Sequence, residues 1–332
     1  MDFPFPVVLC DIGGTNARFA LKMSPDSPLL PGLPRKTSSH ASFEAALGAA
    51  FEGFGVKPRS LIACAAGPVS ERSVKLTNAA WSIDGAEVAA ALKLDQGLLL
   101  NDFEAQALTL PVLEAGWTTP IGPPLEPQRG VKLVIGVGTG LGAAALVEVE
   151  GRHLALASEA GHVDFAPVGS VEAAIWPHID ISAHGRVSAE TILSGLGLVR
   201  LHQACCAAAG AAPPALDEVA LVEQGLARLD GPEAQTLRLT WLLAARYAGD
   251  FALNLLATGG VTFSGGILPR LTAFLDPATF RARFEDKAPF GEMMRRIPTR
   301  LIIANDVVLS GMAAIAASPR DYIIDYDLRA WR

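Results

Sequence analysis

Asp102 is the residue whose surroundings most directly suggest chemistry. It stands in Leu-Leu-Leu-Asn-Asp-Phe-Glu-Ala-Gln (98–106), where an apolar run ends in Asn101-Asp102 and a helical pattern starts. A carboxylate placed where a buried strand gives out points into the crevice where open α/β sheets bind ligands. There it can receive a proton from a bound group. The same residue can instead cap the helix beginning near Phe103, accepting hydrogen bonds from its first N–H groups. Asp11 has a related setting. A buried strand at 7–12 delivers it just before Gly13-Gly14-Thr15-Asn16, and an alternating strand follows at 17–22. Glycines let backbone N–H groups approach an anion, and successive N–H groups form an anion-binding concavity. A plain hairpin with a Gly-Gly turn has the same composition.

A second unit of this kind lies at 132–149, with Gly138-Thr139-Gly140-Leu141-Gly142 at its tip. Gly138 to Ala143 satisfies G-x-G-x-x-A, and Glu159 lies near the distance a dinucleotide fingerprint requires. That fingerprint needs a helix after the glycines. Here 143–149, a turn at Glu150-Gly151 and His153-Leu154-Ala155-Leu156 read as two strands, so a Rossmann site is rejected. No G-x-x-x-x-G-K-[ST] occurs, which excludes a P-loop. Two strand–glycine loop–strand units suggest two similar domains, each offering N–H groups to one polyphosphate.

Other polar residues cluster around these units. Glu159 and His162 sit in Ser-Glu-Ala-Gly-His-Val-Asp-Phe (158–165). His162 and Asp164 lack a third ligand at conventional spacing, so a metal pair is disfavoured. Ser188 suits a helix cap with Glu190 in the first turn, where the helix dipole favours a carboxylate. Gly265-Gly266 separates a strand at 261–264 from a helix at 267–275, and either admits a flat ligand or makes a tight turn.

The remaining elements must carry these groups. Helices are expected at 43–54, 84–93, 233–256 and 307–317, and in an alanine-rich stretch at 201–230 broken by Pro213-Pro214. Strands are expected at 60–66, ended by Gly67-Pro68, and at 74–76, 97–100 and 301–304. Thr77-Asn78 lies in a polar loop, 25–34 is a proline-rich surface loop, and 116–130 reads as a boundary. Residues 280–296 are a charged amphipathic stretch. Pro319 to Arg332 mixes Asp, Arg, Tyr and Trp and reads as an interface or a frayed tail.

The 332 residues suit about two domains. Half of them are hydrophobic and 18% charged, which is a core-forming rather than disordered composition. A net charge of −7 without a basic block argues against nucleic acid or an anionic membrane as partner. Met-Asp-Phe-Pro-Phe-Pro has no basic region before an apolar one, unlike a signal peptide. The longest apolar run, 133–147, is interrupted by glycines and reads as strand-loop-strand rather than a membrane span. Cys10, Cys64, Cys205 and Cys206 suggest neither a disulfide framework nor a zinc site. A reduced, cytoplasmic protein is expected.

With these residues in place, the chain resembles the bacterial glucokinases of the hexokinase-like, non-repressor type. The matching runs are Asp-Ile-Gly-Gly-Thr-Asn-Ala-Arg (11–18), Asn-Asp-Phe (101–103), Gly-Thr-Gly-Leu-Gly (138–142) and Glu-Ala-Gly-His-Val-Asp-Phe-Ala-Pro (159–167). They continue with Ser-Ala-Glu-x-x-Leu-Ser-Gly (188–195), Ala-Leu-Asn-Leu (252–255), Gly-Gly-Ile-x-Pro-Arg (265–270) and Phe-Glu-Asp-Lys (284–287). They keep the family's order over about 7–317 and are specific in combination.

The resemblance implies an α/β protein with the actin/hexokinase-like ATPase fold, two α/β domains flanking a deep cleft. The smaller would hold 1–112 plus 304–332, the larger 113–303. It implies ATP-dependent phosphorylation of D-glucose at the 6-hydroxyl, with Asp102 as general base. Asn101, Glu159, His162 and Glu190 would hold other sugar hydroxyls. The loops Ile12-Gly13-Gly14-Thr15-Asn16 and Gly138-Thr139-Gly140 would hold the phosphates of ATP, and Gly265-Gly266 would meet the adenosine. Asp11 would orient Mg²⁺ through water, and a homodimer is expected. Cys10 stands where a small residue often precedes the Asp, and Leu196 replaces a Pro common in the Ser-Gly-Pro-Gly stretch. The alternatives are a kinase for another hexose or amino sugar, another phosphoryl donor such as polyphosphate, or a non-catalytic sugar sensor.

Overall fold

Three buried parallel strands set the first group of polar residues at one sheet end. Val7–Ile12, Ser60–Ala65 and Gln96–Asn101 lie side by side, with Ile12, Ala65 and Asn101 in register. Their only charged residue is Asp11, and nearly every other position is buried, as parallel strands covered on both faces require. Asn16–Lys22 turns back antiparallel on Val7–Ile12. The sheet has seven strands, in the order Ala330–Trp331, Gln96–Asn101, Ser60–Ala65, Val7–Ile12, Asn16–Lys22 and Leu29–Pro31, with Arg35–Lys36 also on Asn16–Lys22.

The structure, a computed structural model, describes residues 2–67, 69–76, 81–183 and 185–331. Pro68, Thr77 and Asn78, read above as a strand end and a polar loop, lie outside the described residues. Helix Phe43–Phe54 buries Phe43, Ala46, Leu47 and Ala50, the i, i+3, i+4, i+7 stripe of an amphipathic helix. Ser42 caps its start and Gly55 ends it in the left-handed conformation. This helix and Gly85–Leu92 share a core with Leu61, Leu99 and Trp331. Helix Val307–Ala317 packs on Val7–Ile12 and on helix Asp102–Thr109.

The chain divides into two compact units. The first holds the residues up to Trp117, Ala144–Ala157 and the residues from Ala304 on; the second holds Thr118–Ala143 and Ser158–Ile303. Residues 144–157, assigned by sequence to the 113–303 domain, thus group with the first unit. The physical reason is a set of contacts to a distant segment. His153 forms a β-bridge with Tyr322, and the Arg152 guanidinium donates to the carbonyls of Arg320 and Tyr322.

In the second unit, Lys132–Val137, Gly260–Ser264 and Thr299–Ile302 run parallel, with Thr118–Pro120 antiparallel at the edge. Leu141–Val149 and Arg152–Ser158 follow Lys132–Val137 in the order of the same six-stranded sheet, although their residues 144–157 group with the first unit. The 24-residue helix Pro232–Leu255 covers it. Its Trp241 meets Phe263 and Phe280 edge-on and donates from Nε1 to the Leu271 carbonyl. The alanine-rich stretch forms Gly195–Ala208 and Glu218–Ala227, on either side of Pro213-Pro214. The helix expected at 267–275 is the 3₁₀ segment Leu268–Phe274.

Residues 319–331 form short elements, the 3₁₀ turn Pro319–Asp321, the helical turn Tyr326–Arg329 and a strand. Ala330–Trp331 is an edge strand on Gln96–Asn101. Trp331 is buried because Gly85 and Gly97 leave room for it; a Cβ on Gly97 would lie 2.0 Å from the indole. All four cysteines are free. Among the described residues, no helix is long and apolar enough to cross a membrane.

Candidate active site

At the end of strand Gln96–Asn101 the backbone of Asn101 is still extended, with φ −69° and ψ 150°, and Asp102 is the first helical residue. The cap is therefore Asn101, which corrects the reading of Asp102 as the capping residue. Asn101 Oδ1 accepts from the N–H groups of Phe103 (3.0 Å) and Glu104 (3.2 Å). Glu104 accepts from the Asn101 N–H in return, at 3.2 Å, completing a capping box. Asn101 Nδ2 donates to the Gly67 carbonyl at 3.1 Å and to Asp102 Oδ1 at 2.9 Å. Burial pushes the Asp102 carboxyl up to about 6, and the negative charge of Asp11 adds to the shift. The N–H groups of Phe103 and Asp102 and the Asn101 amide oppose it without cancelling it.

Asp11 projects two strands away in the same sheet. Its Oδ2 accepts from Arg18 Nη1 at 3.3 Å and its Oδ1 from the Cys64 thiol at 3.5 Å. Burial pushes the Cys64 thiol well up, so it remains a donor. Burial also raises the Asp11 carboxyl, against the pull of Arg18. The loop beyond closes through Gly13 N–H to Asn16 O at 2.9 Å, and Thr37 braces it by donating to the Gly14 and Thr15 carbonyls. The Gly14 and Thr15 N–H groups have no acceptor among the described residues. Ile12 does not join this loop: its side chain is in the core and its carbonyl accepts from Ala66.

The sequence missed two partners here. Arg18 also reaches Asp306, with Nε 3.3 Å from Oδ1, and Asp306 takes the left-handed conformation, φ 59°, before helix Val307–Ala317. A basic residue inside a strand–loop–strand unit signals a bound carboxylate, but its distant partner leaves no local trace.

The second unit gathers the other residues. Gly138 N–H donates to Gly140 O at 2.9 Å, and Gly195 N–H donates to Gly138 O at 2.9 Å. Ser188 caps the short helix Ala189–Ile192, with Glu190 in its first turn, as expected. Glu190 Oε2 accepts from Leu141 N–H at 2.9 Å, so one oxygen braces the glycine loop. Its Oε1 lies 3.9 Å from His162 Nδ1, and His162 Nε2 lies 3.9 Å from Glu159 Oε2. The three side chains are brought together with graded exposure: Glu159 81%, His162 50%, Glu190 30%. Asp164, by contrast, pairs with Arg186 at 2.6 Å. Gly265 has φ +88°, and a Cβ there would lie 2.3 Å from the Val137 carbonyl, so only glycine suits it. Gly138–Gly140 and Gly265-Gly266 thus lie at the ends of adjacent parallel strands, the usual ligand position in such sheets. Gly195, at the start of a helix of 14 residues, joins them; its sequence signal was Ser194, the cap.

The family model for glucokinase matches residues 8–319. A glucokinase of Sinorhizobium fredii is 40% identical over 331 residues, 99% of this chain and 97% of that protein. The chain belongs to the glucokinase family. Among solved structures, a glucokinase from an Antarctic psychrotroph superposes with a TM-score of 0.82 at 30% identity, covering 94% of this chain and 98% of that one. A Balamuthia mandrillaris glucokinase in complex with glucose shares the fold, with a TM-score of 0.79 at 21% identity over 94% of this chain and 93% of that one. The α/β architecture implied by the sequence resemblance is that of the family, and the matched span includes Asp11, Asn101, Asp102, Glu159, His162, Glu190 and the three glycine loops.

Proposed function

We propose that this chain catalyses ATP-dependent phosphorylation of D-glucose at the 6-hydroxyl, giving glucose 6-phosphate and ADP, with Asp102 as general base. The observation that carries the base role is the Asp102 carboxyl itself. It is desolvated, held at a helix start by the Asn101 amide, and pushed to about 6. A base of that strength is ionised at neutral pH yet accepts a proton readily. An alcohol is a poor nucleophile at this pH, so a placed carboxylate is worth on the order of 10²–10⁴-fold.

Asn101 donates both amide hydrogens, to the Gly67 carbonyl and to Asp102, so it holds the base; to hold a sugar hydroxyl as well it would exchange one of these bonds. Glu159, His162 and Glu190 hold other hydroxyls; two carboxylates beside an imidazole suit a polyol, and a site built for a hydroxyl rejects an analogue lacking it. The free N–H groups of Gly14 and Thr15 with Asn16, and the Gly138-Thr139-Gly140 loop, fit phosphate oxygens. Gly265-Gly266, where nothing lies within 4 Å of a Cβ on Gly266, fits the flat face of adenosine.

Asp11 fits Mg²⁺: its Oδ1 faces only a thiol donor, and Mg²⁺ in such sites takes one or two carboxylates besides water and phosphate. Bound Mg²⁺ neutralises charge developing on the phosphate oxygens. Asp11 would hold it through water, the glycine loops would hold the phosphates, and Asp102 Oδ would receive the hydroxyl proton. The test is ADP release, followed by a coupled assay, with glucose, mannose, fructose, galactose and N-acetylglucosamine. Glucose is expected to be the best substrate, and Asp102→Asn to lose turnover at least ~100-fold while glucose still binds by calorimetry. An active Asp102→Asn variant defeats the base assignment.

A further inference from the structure

The base-bearing turn is held from an unexpected place. Glu104 is buried, 9% exposed, in the first turn of helix Asp102–Thr109. Its Oε2 accepts from the Asn101 N–H and from Arg329 Nη2, the latter at 2.7 Å, and its Oε1 accepts from Arg329 Nη1. Arg329 Nη2 also donates to the Leu99 carbonyl at 3.0 Å. One guanidinium thus touches the strand before Asp102 and, through a bidentate carboxylate, the helix after it.

We propose that Arg329 is a positioning residue for catalysis: through Glu104 it fixes the Asn101-Asp102 turn and with it the direction of the Asp102 carboxylate. The proposal rests on the reading of Asp102 as base. A capping-box glutamate ordinarily lies at the surface with rotamers to spare. Here a planar fork removes that freedom, as a bidentate Arg–carboxylate pair does in partly buried surroundings. Both partners are shielded, with side-chain exposures of 19% for Arg329 and 11% for Glu104.

Arg329 is itself placed by a segment with several anchors. Asp325 caps the helical turn Tyr326–Arg329. The Tyr326 hydroxyl donates to the Pro319 carbonyl. Arg72 donates to the carbonyls of Asp327 and Leu328. Ala330 and Trp331 join the ladder beside Leu98 and Gly97. Such investment in a segment without substrate-facing groups is explained if its output is the geometry of the strand–helix turn. A displacement near 1 Å of a reacting group can cost about 10²-fold.

The experiment compares Arg329→Met, Arg329→Lys, Glu104→Gln and the double variant Glu104→Gln/Arg329→Met, with Asp102→Asn alongside. Turnover with both substrates saturating is measured well below each melting temperature, and glucose affinity by calorimetry. Arg329→Met is expected to lower kcat by about 10- to 100-fold, with the dissociation constant for glucose changed less than ~3-fold. Arg329→Lys recovers only part of kcat, because an ammonium lacks the fork. The double variant exceeds Arg329→Met in kcat, since the amide oxygen that Glu104→Gln introduces still accepts from the Asn101 N–H and no carboxylate is left stranded.

A lower melting temperature with kcat within ~2-fold of the natural protein, in Arg329→Met or, should that variant not fold, in Arg329→Lys and Glu104→Gln, overturns the proposal and leaves Arg329 a structural anchor. An inactive Asp102→Asn beside a fully active Arg329→Met defeats the positioning role alone. An active Asp102→Asn defeats the base reading beneath it.

Discussion

Asp102 carries a charge that its surroundings disfavour, and this has opposite consequences for activity and stability. Its carboxyl is raised from 3.8 to about 6, chiefly by burial. A base must be ionised, so kcat is expected to fall on the acid side with an apparent pKa near 6, which a pH–rate profile measures. For stability, a raised folded-state value favours the protonated form. The contribution of this group is complete below 3.8 and is lost as pH rises through about 6. Asn cannot ionise and so escapes that loss. Asp102→Asn is therefore expected to melt higher than the natural protein at pH 7.5, by up to about 3 kcal/mol of stability. The difference should shrink toward pH 4 in thermal scans. The Asp11 carboxyl is also raised by burial, with the Arg18 guanidinium opposing part of the shift.

At the scale of elements, glycines decide how closely segments approach. A Cβ on Gly140 would lie 2.5 Å from Glu190 Oε2, the atom that accepts from Leu141 N–H. Gly140→Ala is expected to displace Glu190 and raise KM for glucose about tenfold or more with little loss of stability, as steady-state kinetics beside a melting curve will show. Gly97→Ala should have the reverse profile. Its Cβ meets the Trp331 indole, with no flexible atom to give way, so a loss of about 1–3 kcal/mol is expected in chemical unfolding. The Asn101 cap and the Ser188 cap illustrate what local sequence can reveal. Ser188 precedes its helix without a competitor, whereas Asn101 and Asp102 are both good caps. Only the backbone angles show which residue is still extended.

For the molecule as a whole, Asn101 and the glycine loops 13–16, 138–140 and 265–266 lie where parallel strands end, while Glu159, His162 and Glu190 come from a 3₁₀ segment and a short helix. Binding to the folded state alone must raise stability. Glucose at 100 times its dissociation constant is expected to add about 2.7 kcal/mol, read as a rise of several degrees in melting temperature. Asp102→Asn should keep most of that rise, whereas Glu190→Ala should lose it together with its brace on Leu141.

The buried strands, the main helices and the order of the glycine loops were legible in the chain before it folded. Those features are written in local periodicity and turn chemistry, and the ordered motifs carried the family. Tertiary structure alone decided the partners of Asp11, the grouping of 144–157 with 319–323, and the role of 326–331. Arg329 and Glu104 are 225 positions apart, and nothing in the pattern around either residue marks the other. Their pairing exists because Ala330–Trp331 pairs with Gln96–Asn101, the strand that leads directly into Asp102.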